Sequence, residues 1–246
     1  MNPWTCREPD HRHLPKLAAI LAVVLAVLLA GCAAQVAQTP HGHKREPAEL
    51  ADTYYHGLFA QGKPVFRVDS ARSILVIEVR RGGSFAHLGH NHVVASHDVA
   101  GYIAPGEGRA DLRVPLDALV VDEPALRAEA GFHTALSADD IAGTRGNMLT
   151  KVLETDRYPY ALITVSGLGP SSSPMKLQVD ITLHGVTRYV QTAVELEQTD
   201  EELSISGAMA IDQSEYGIVP LSVLGGAIAV QDRLNVSFRI YARRVQ

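Results

Sequence analysis

The chain has 246 residues, 46% apolar and 20% charged, which suits one domain or at most two built around a buried core. Its formal charge is −5 and its basic residues form no cluster, so it carries no electrostatic footprint for nucleic acid. The same balance gives it no attraction by charge to an anionic membrane surface.

The first pattern in chain order is Leu17 to Ala30, LAAILAVVLAVLLA, fourteen apolar residues without a charge. As a helix rising ~1.5 Å per residue it would reach only ~21 Å, short of the ~30 Å hydrocarbon core of a bilayer. Arg7, Arg12 and Lys16 precede it, diluted by Glu8 and Asp10. At its end Leu29-Ala30-Gly31-Cys32 resembles the lipobox of bacterial lipoproteins. Residues 1–31 are therefore expected to be a lipoprotein signal peptide, with Cys32 carrying a diacylglyceryl lipid as the first mature residue. An uncleaved N-terminal anchor helix is the other reading. Cleavage would remove Cys6, the only other cysteine, leaving no thiol pair for a disulfide. It would also leave 19 basic and 25 acidic residues, a net charge of about −6.

Residues 32–64 read as the lipidated N-terminus and a flexible tether, polar and proline-containing as far as Pro47. A short helix over Ala48–Ala60 is expected within it. From residue 65 to 243 the pattern changes to alternation with period two, the sign of strands with one buried face. Strands are expected over 73–80, somewhere within 92–104, and over 111–117 and 160–166. Leu177, Val179, Ile181 and Leu183 then share one face, as do Val190, Thr192, Val194 and Leu196. Leu203, Ile205, Gly207, Met209 and Ile211 form the next row, and Val236, Phe238 and Ile240 the last. His184-Gly185, residues 198–201 and Pro105-Gly106-Glu107-Gly108 are short enough to make antiparallel hairpins. One helix is expected from Ser137 to about Val152, opened by a capping-box-like Ser137-Ala138-Asp139-Asp140. About eight such strands favour a closed barrel or a sandwich, and alternation alone does not choose.

Several phrases resemble the YceI-like family of bacterial exported proteins. They are Phe66 to Ser73, the helix residues Arg145, Met148 and Leu149, Tyr158-Pro159, Leu183-His184-Gly185-Val186-Thr187-Arg188, and Tyr216-Gly217-Ile218. The resemblance implies an all-β fold with one helix, an eight-stranded antiparallel barrel of lipocalin-like shape. It further implies a polyisoprenoid or quinone-like lipid held inside. An aliphatic interior suits a methyl-branched chain, each buried CH₂ contributing ~0.8 kcal/mol. By parity the expected ligand-lining residues are Leu75, Ile77, Val79, Leu112, Val114, Val179, Ile181, Met209 and Phe238; the competing reading is that they pack a filled core.

His87, His90 and His92 form an H-x-x-H-x-H cluster, with His97 beyond. Three imidazoles on neighbouring positions suit Zn²⁺ or Cu²⁺, with His133 or His184 as a distant fourth ligand. A metal-binding or redox-associated envelope protein is thus the alternative reading, against the plainer one of polar residues at a barrel rim. No nucleophile elbow, H-E-x-x-H or P-loop occurs, so no catalytic residue is expected. The resulting expectation is a non-enzymatic, lipid-anchored protein of the cell envelope, on the outer membrane facing the periplasm if the source is Gram-negative. Its partners would be the membrane and a hydrophobic small molecule, and the sequence leaves its oligomeric state open.

Overall fold

The computed structural model describes residues 47–169 and 174–246. The leader, Cys32, the tether's His41-Gly42-His43 and residues 171–173 lie outside the described residues. Helix α1 (Pro47–Ala60) precedes β1 (Phe66–Val68), β2 (Ile74–Val79) and β3 (Arg81–Gly82). Then come β4 (His92–Ser96), β5 (Ala100–Ala104), β6 (Arg109–Pro115) and β7 (Val120–Val121). Helices α2 (Pro124–Glu129) and α3 (Ala138–Asn147) follow. After them run β8 (Tyr160–Ser166), β9 (Met175–Leu183), β10 (Val186–Gln198) and β11 (Glu202–Asp212). Last are β12 (Ser222–Val223), β13 (Ile228–Val230) and β14 (Arg233–Arg244).

Strands β1, β5, β6, β8, β9, β10, β11 and β14 hydrogen-bond in that order, each antiparallel to the next, and β1 pairs back onto β14. The result is a closed eight-stranded antiparallel barrel, which removes every unpaired edge from the ring. The longest ladder joins β11 to β14 from Glu202↔Arg243 to Asp212↔Arg233. In β9 buried and exposed residues alternate from Met175 to Ile181, so the period-two pattern of the sequence is the pattern of the wall.

Two corners mark the wall, and the second divides a stretch expected as one strand. Beside β14, β1 gives way to the 3₁₀ turn Ser70–Arg72 before β2 resumes the pairing. Buried Ser73 bridges the break: its hydroxyl donates to the Asp69 carbonyl and accepts from the Tyr241 N–H. The single strand expected within 92–104 is likewise β4 and β5, separated at 97–99, where the Ser70 hydroxyl donates to the Val99 carbonyl. At Gly101, φ is +146° and a Cβ would lie 2.1 Å from the Asp111 carbonyl oxygen, so β5 approaches β6 too closely for any side chain.

The β9–β10 hairpin turns on His184-Gly185, both at positive φ as a two-residue primed turn requires. Helix α3 begins with the capping box: the Ser137 hydroxyl accepts from the Asp140 N–H and the Asp140 carboxylate accepts from the Ser137 N–H. It continues through a wide turn at Met148–Val152, and Ile141, Met148, Val152 and Leu153 pack against the barrel core. Helix α2 departs from the expectation of a single helix; at six residues it is too short to show an apolar period. Helix α1 packs outside the barrel, where Tyr55 and Leu58 join Val65 and Ala104 in a second small core.

Candidate functional site

Inward-facing positions of the strands enclose a cavity of about 170 Å³ whose exposed wall is wholly apolar. An apolar void of this order, about 150 Å³ in the reference case, stays dry and accepts a benzene-sized guest. The barrel is therefore not a fully filled core. Eight of the nine residues expected from parity line it: Leu75, Ile77, Leu112, Val114, Val179, Ile181, Met209 and Phe238. Val79 does not. It stands at the end of β2 opposite His92 and packs against the main core instead.

The cavity owes part of its shape to a glycine. Gly207 sits directly opposite Phe238 across β11 and β14, and a Cβ at Gly207 would lie 2.9 Å from the Phe238 ring. The missing side chain lets that ring lie inside the barrel. Thr192 and Gln213 line the cavity too, but their polar groups turn aside: the Thr192 hydroxyl donates to the Ala208 carbonyl and the Gln213 amide to the Gln231 carbonyl. Burial without those bonds would cost about 1–3 kcal/mol each.

A buried tyrosine outside the cavity lining has no such bond. Tyr216 closes the 3₁₀ turn that begins at Gln213 and is fully buried, yet its hydroxyl has no hydrogen-bond partner among the described residues. Burial pushes its pKa up, reinforced by Glu215 and opposed by Arg188. Arg188 occupies the β10 register shared by Val190, Thr192 and Val194. The sequence reading did not place Thr192 and Gln213 among the ligand-lining residues, since both are polar and apolar residues alone do not signal their inward position.

The histidines of the H-x-x-H-x-H cluster are spread over three local settings. His87 lies in a 3₁₀ turn, His90 in the loop after it, and His92 at the start of β4. The His90 and His92 rings are 6.4 Å apart. His92 Nδ1 is 2.6 Å from Asp122 Oδ2, while His97 pairs separately with Glu123 at 2.8 Å. Among the described residues no three His, Cys, Asp or Glu side chains come together as a metal site. His184 stacks at a tilt on Tyr158, 4.3 Å between ring centres.

What His92 joins is a buried ion-pair network. The Asp122 side chain is completely buried and that of Arg127, from α2, only 8% exposed. The Arg127 guanidinium donates to Asp122 Oδ1 at 2.6 Å and to the carbonyls of Asn91 and Thr134. The Val93 N–H donates to the same carboxylate. Burial works to raise the Asp122 pKa, but the hydrogen bonds from His92, Val93 and Arg127 outweigh it and hold the carboxyl below its ordinary range. This network fixes the β4 end of the barrel; it does not open onto the cavity.

A second concavity, about 620 Å³, lies outside the barrel between α1 and strands β5, β6 and β8. Its lining mixes Arg67, Arg109, Asp111 and Arg113 with Tyr54 and Tyr102. Asp111 there accepts from Arg109, Thr164 and the Tyr55 hydroxyl, which hold its pKa down against the opposing effect of burial. A charged, open groove of this kind is wetted, unlike the interior void.

The geometry can be set beside known proteins. A polyisoprenoid-binding domain from Saccharophagus degradans, implicated in plant cell wall breakdown, superposes with a TM-score of 0.52 at 14% identity, over 74% of this chain and 99% of that one. BcnA from Burkholderia cenocepacia superposes with a TM-score of 0.50 at 16% identity, over 71% of this chain and 98% of that one. These likenesses show the fold. No curated protein matches the chain. The model of the YceI-like domain matches residues 66–242, from the first residue of β1 to within two residues of the end of β14. The chain belongs to the YceI-like family.

Proposed function

We propose that this protein binds and carries a polyisoprenoid or quinone-like lipid inside its barrel, held at the cell envelope by a lipid on Cys32. The observation that carries the reading is the wholly apolar cavity enclosed by the closed strand ring. Such a space offers an isoprenoid chain burial at ~0.8 kcal/mol per CH₂ and offers a water-soluble ligand nothing. The superposing Saccharophagus degradans domain is described as polyisoprenoid-binding, which supports the same ligand class. Binding rather than catalysis suits a wall without reactive groups.

At its present size the void takes one short branched unit. A longer chain enters by parting the walls. Met209 is an adaptable side chain on that wall and can yield. A lipid at Cys32 with more than one acyl chain would hold the domain stably at a bilayer.

Mass spectrometry of organic extracts from the purified protein tests the cargo. A long-chain isoprenoid-type lipid is expected in the extract. Repeated preparations holding none would end the carrier reading. Labelling with radioactive palmitate, lost in Cys32→Ser, tests the anchor separately.

A further inference from the structure

Strands β12, β13 and β3 form a small sheet apart from the barrel ring. It stands at the barrel end where β2 and β11 finish and β14 begins. Its turns carry Phe85, Leu88, Val219, Val223 and Leu224, all exposed, Val219 by 79% and Leu224 by 73%. These residues belong to one stitched unit. The Phe85 N–H donates to the Ala227 carbonyl at 2.7 Å, and the Val230 N–H to the Leu221 carbonyl at 2.9 Å. Gly83 passes so close to the carbonyls of Gly226 and Ala227 that a Cβ would lie within 2.6 Å of both.

Two features make this more than scattered surface residues. Leu224 is held at φ +53°, a left-handed conformation that bulky side chains rarely adopt, at a position where glycine or asparagine would cost less. The fold thus accepts strain to display an aliphatic side chain to water. Residues 217–230 also contain no charged residue at all, in a protein with 27 carboxylates. The adjoining segment 79–97 has no Asp or Glu either, and its only arginines are tied within the protein, Arg80 to Glu78 and Arg81 to the Gly89 and His87 carbonyls.

We infer that this tip docks on a lipid bilayer, its apolar turns entering the interface. A folded protein partner would need shape complementarity and about one hydrogen bond per 100–200 Å². The tip is a set of projecting turns whose exposed large side chains are apolar. Fluid hydrocarbon accepts projecting apolar groups without any matching surface. Among the described residues no helix is long and apolar enough to cross a membrane. The loop from β11 into this sheet also carries Gln213 and Ile218 on the cavity wall, with Val219 the next residue outside. Docking therefore brings the cavity wall to the membrane surface where lipid would be exchanged; that last step rests on the carrier reading.

The test uses the full chain, whose only tryptophan is Trp4. In a Trp4→Phe background, Leu224→Trp and, separately, Val219→Trp place an indole on the tip. Thr199→Trp places one in the β10–β11 turn at the opposite barrel end. All three share the same N-terminal segment, so their difference reports how the barrel sits. With vesicles of phosphatidylethanolamine and phosphatidylglycerol in equal parts, the tip indoles should shift to the blue and be quenched by brominated acyl chains. The indole at 199 should do neither. Tip indoles that stay unquenched, or quenching equal at both ends, would overturn the proposal. Leu224→Asp with Val223→Asp should slow delivery of a tritiated long-chain isoprenoid alcohol from vesicles by roughly tenfold or more, leaving equilibrium occupancy unchanged. Quenching at the tip in a protein that takes up no lipid would retain docking and end the carrier reading. Lipid in the extract with unquenched tip indoles would do the reverse.

Discussion

Filling the cavity is the sharpest perturbation of the binding account. Met209 lies on the wall of a void of about 170 Å³, and Met209→Trp places an indole into that space. The void accommodates a benzene-sized group, so its loss denies the ligand about five carbons of burial. At ~0.8 kcal/mol per carbon, affinity should fall by about 4 kcal/mol, or roughly a thousandfold in Kd. Overpacking should cost the fold about 1–3 kcal/mol, which leaves a domain of ordinary stability folded. The assay is titration of delipidated protein with a labelled long-chain isoprenoid alcohol, alongside urea denaturation of the same preparation. A variant that stays folded and binds as tightly as the parent would refute the placement of the ligand in the barrel.

Three further outcomes follow from individual residues. Asp122→Asn leaves the Arg127 guanidinium buried without its counter-charge and should cost about 3–5 kcal/mol in urea denaturation. Because the folded pKa of Asp122 lies below its unfolded value of about 3.9, its contribution is full above that value and is lost as pH falls through the folded pKa. The parent should therefore lose stability more steeply than Asp122→Asn below about pH 4. Gly207→Ala drives a methyl into the Phe238 ring and the Ala193 carbonyl; a lower urea midpoint, by about 1–3 kcal/mol, is expected along with weaker lipid uptake. Tyr216→Phe removes a buried hydroxyl with no partner among the described residues, so the lipid-free protein should become more stable by about 1 kcal/mol. Loss of stability in the lipid-free protein would show that the hydroxyl is already satisfied.

The barrel was legible because its strands are long and half-buried, and their period survives in the residues. Leu177, Val179 and Ile181, or Val236, Phe238 and Ile240, announce one face, and that face is the cavity wall. Val79 failed by the same logic: parity fixes the face of a strand but not how far along it the void extends. The break between β4 and β5 at residues 97–99 was illegible because the contact made there, from the Ser70 hydroxyl to the Val99 carbonyl, joins residues far apart in the chain. The H-x-x-H-x-H cluster invited a metal site because spacing shows proximity in sequence alone. In space His92 is turned to Asp122 and His97 to Glu123. Tyr216 stood within a family-like phrase, but that its hydroxyl is buried and unpaired emerges only from the packing around it.

The central claim is that lipid lies inside the barrel, and it is tested most directly by mapping where a lipid touches the chain. A polyisoprenoid alcohol bearing a photoreactive group along its chain, irradiated in the delipidated protein, should attach to interior positions such as Ile181, Met209 and Phe238. Competition by unlabelled lipid should abolish those adducts. Adducts confined to the outer groove at Tyr102, Arg109 and Arg113, or to no defined residue, would contradict the account.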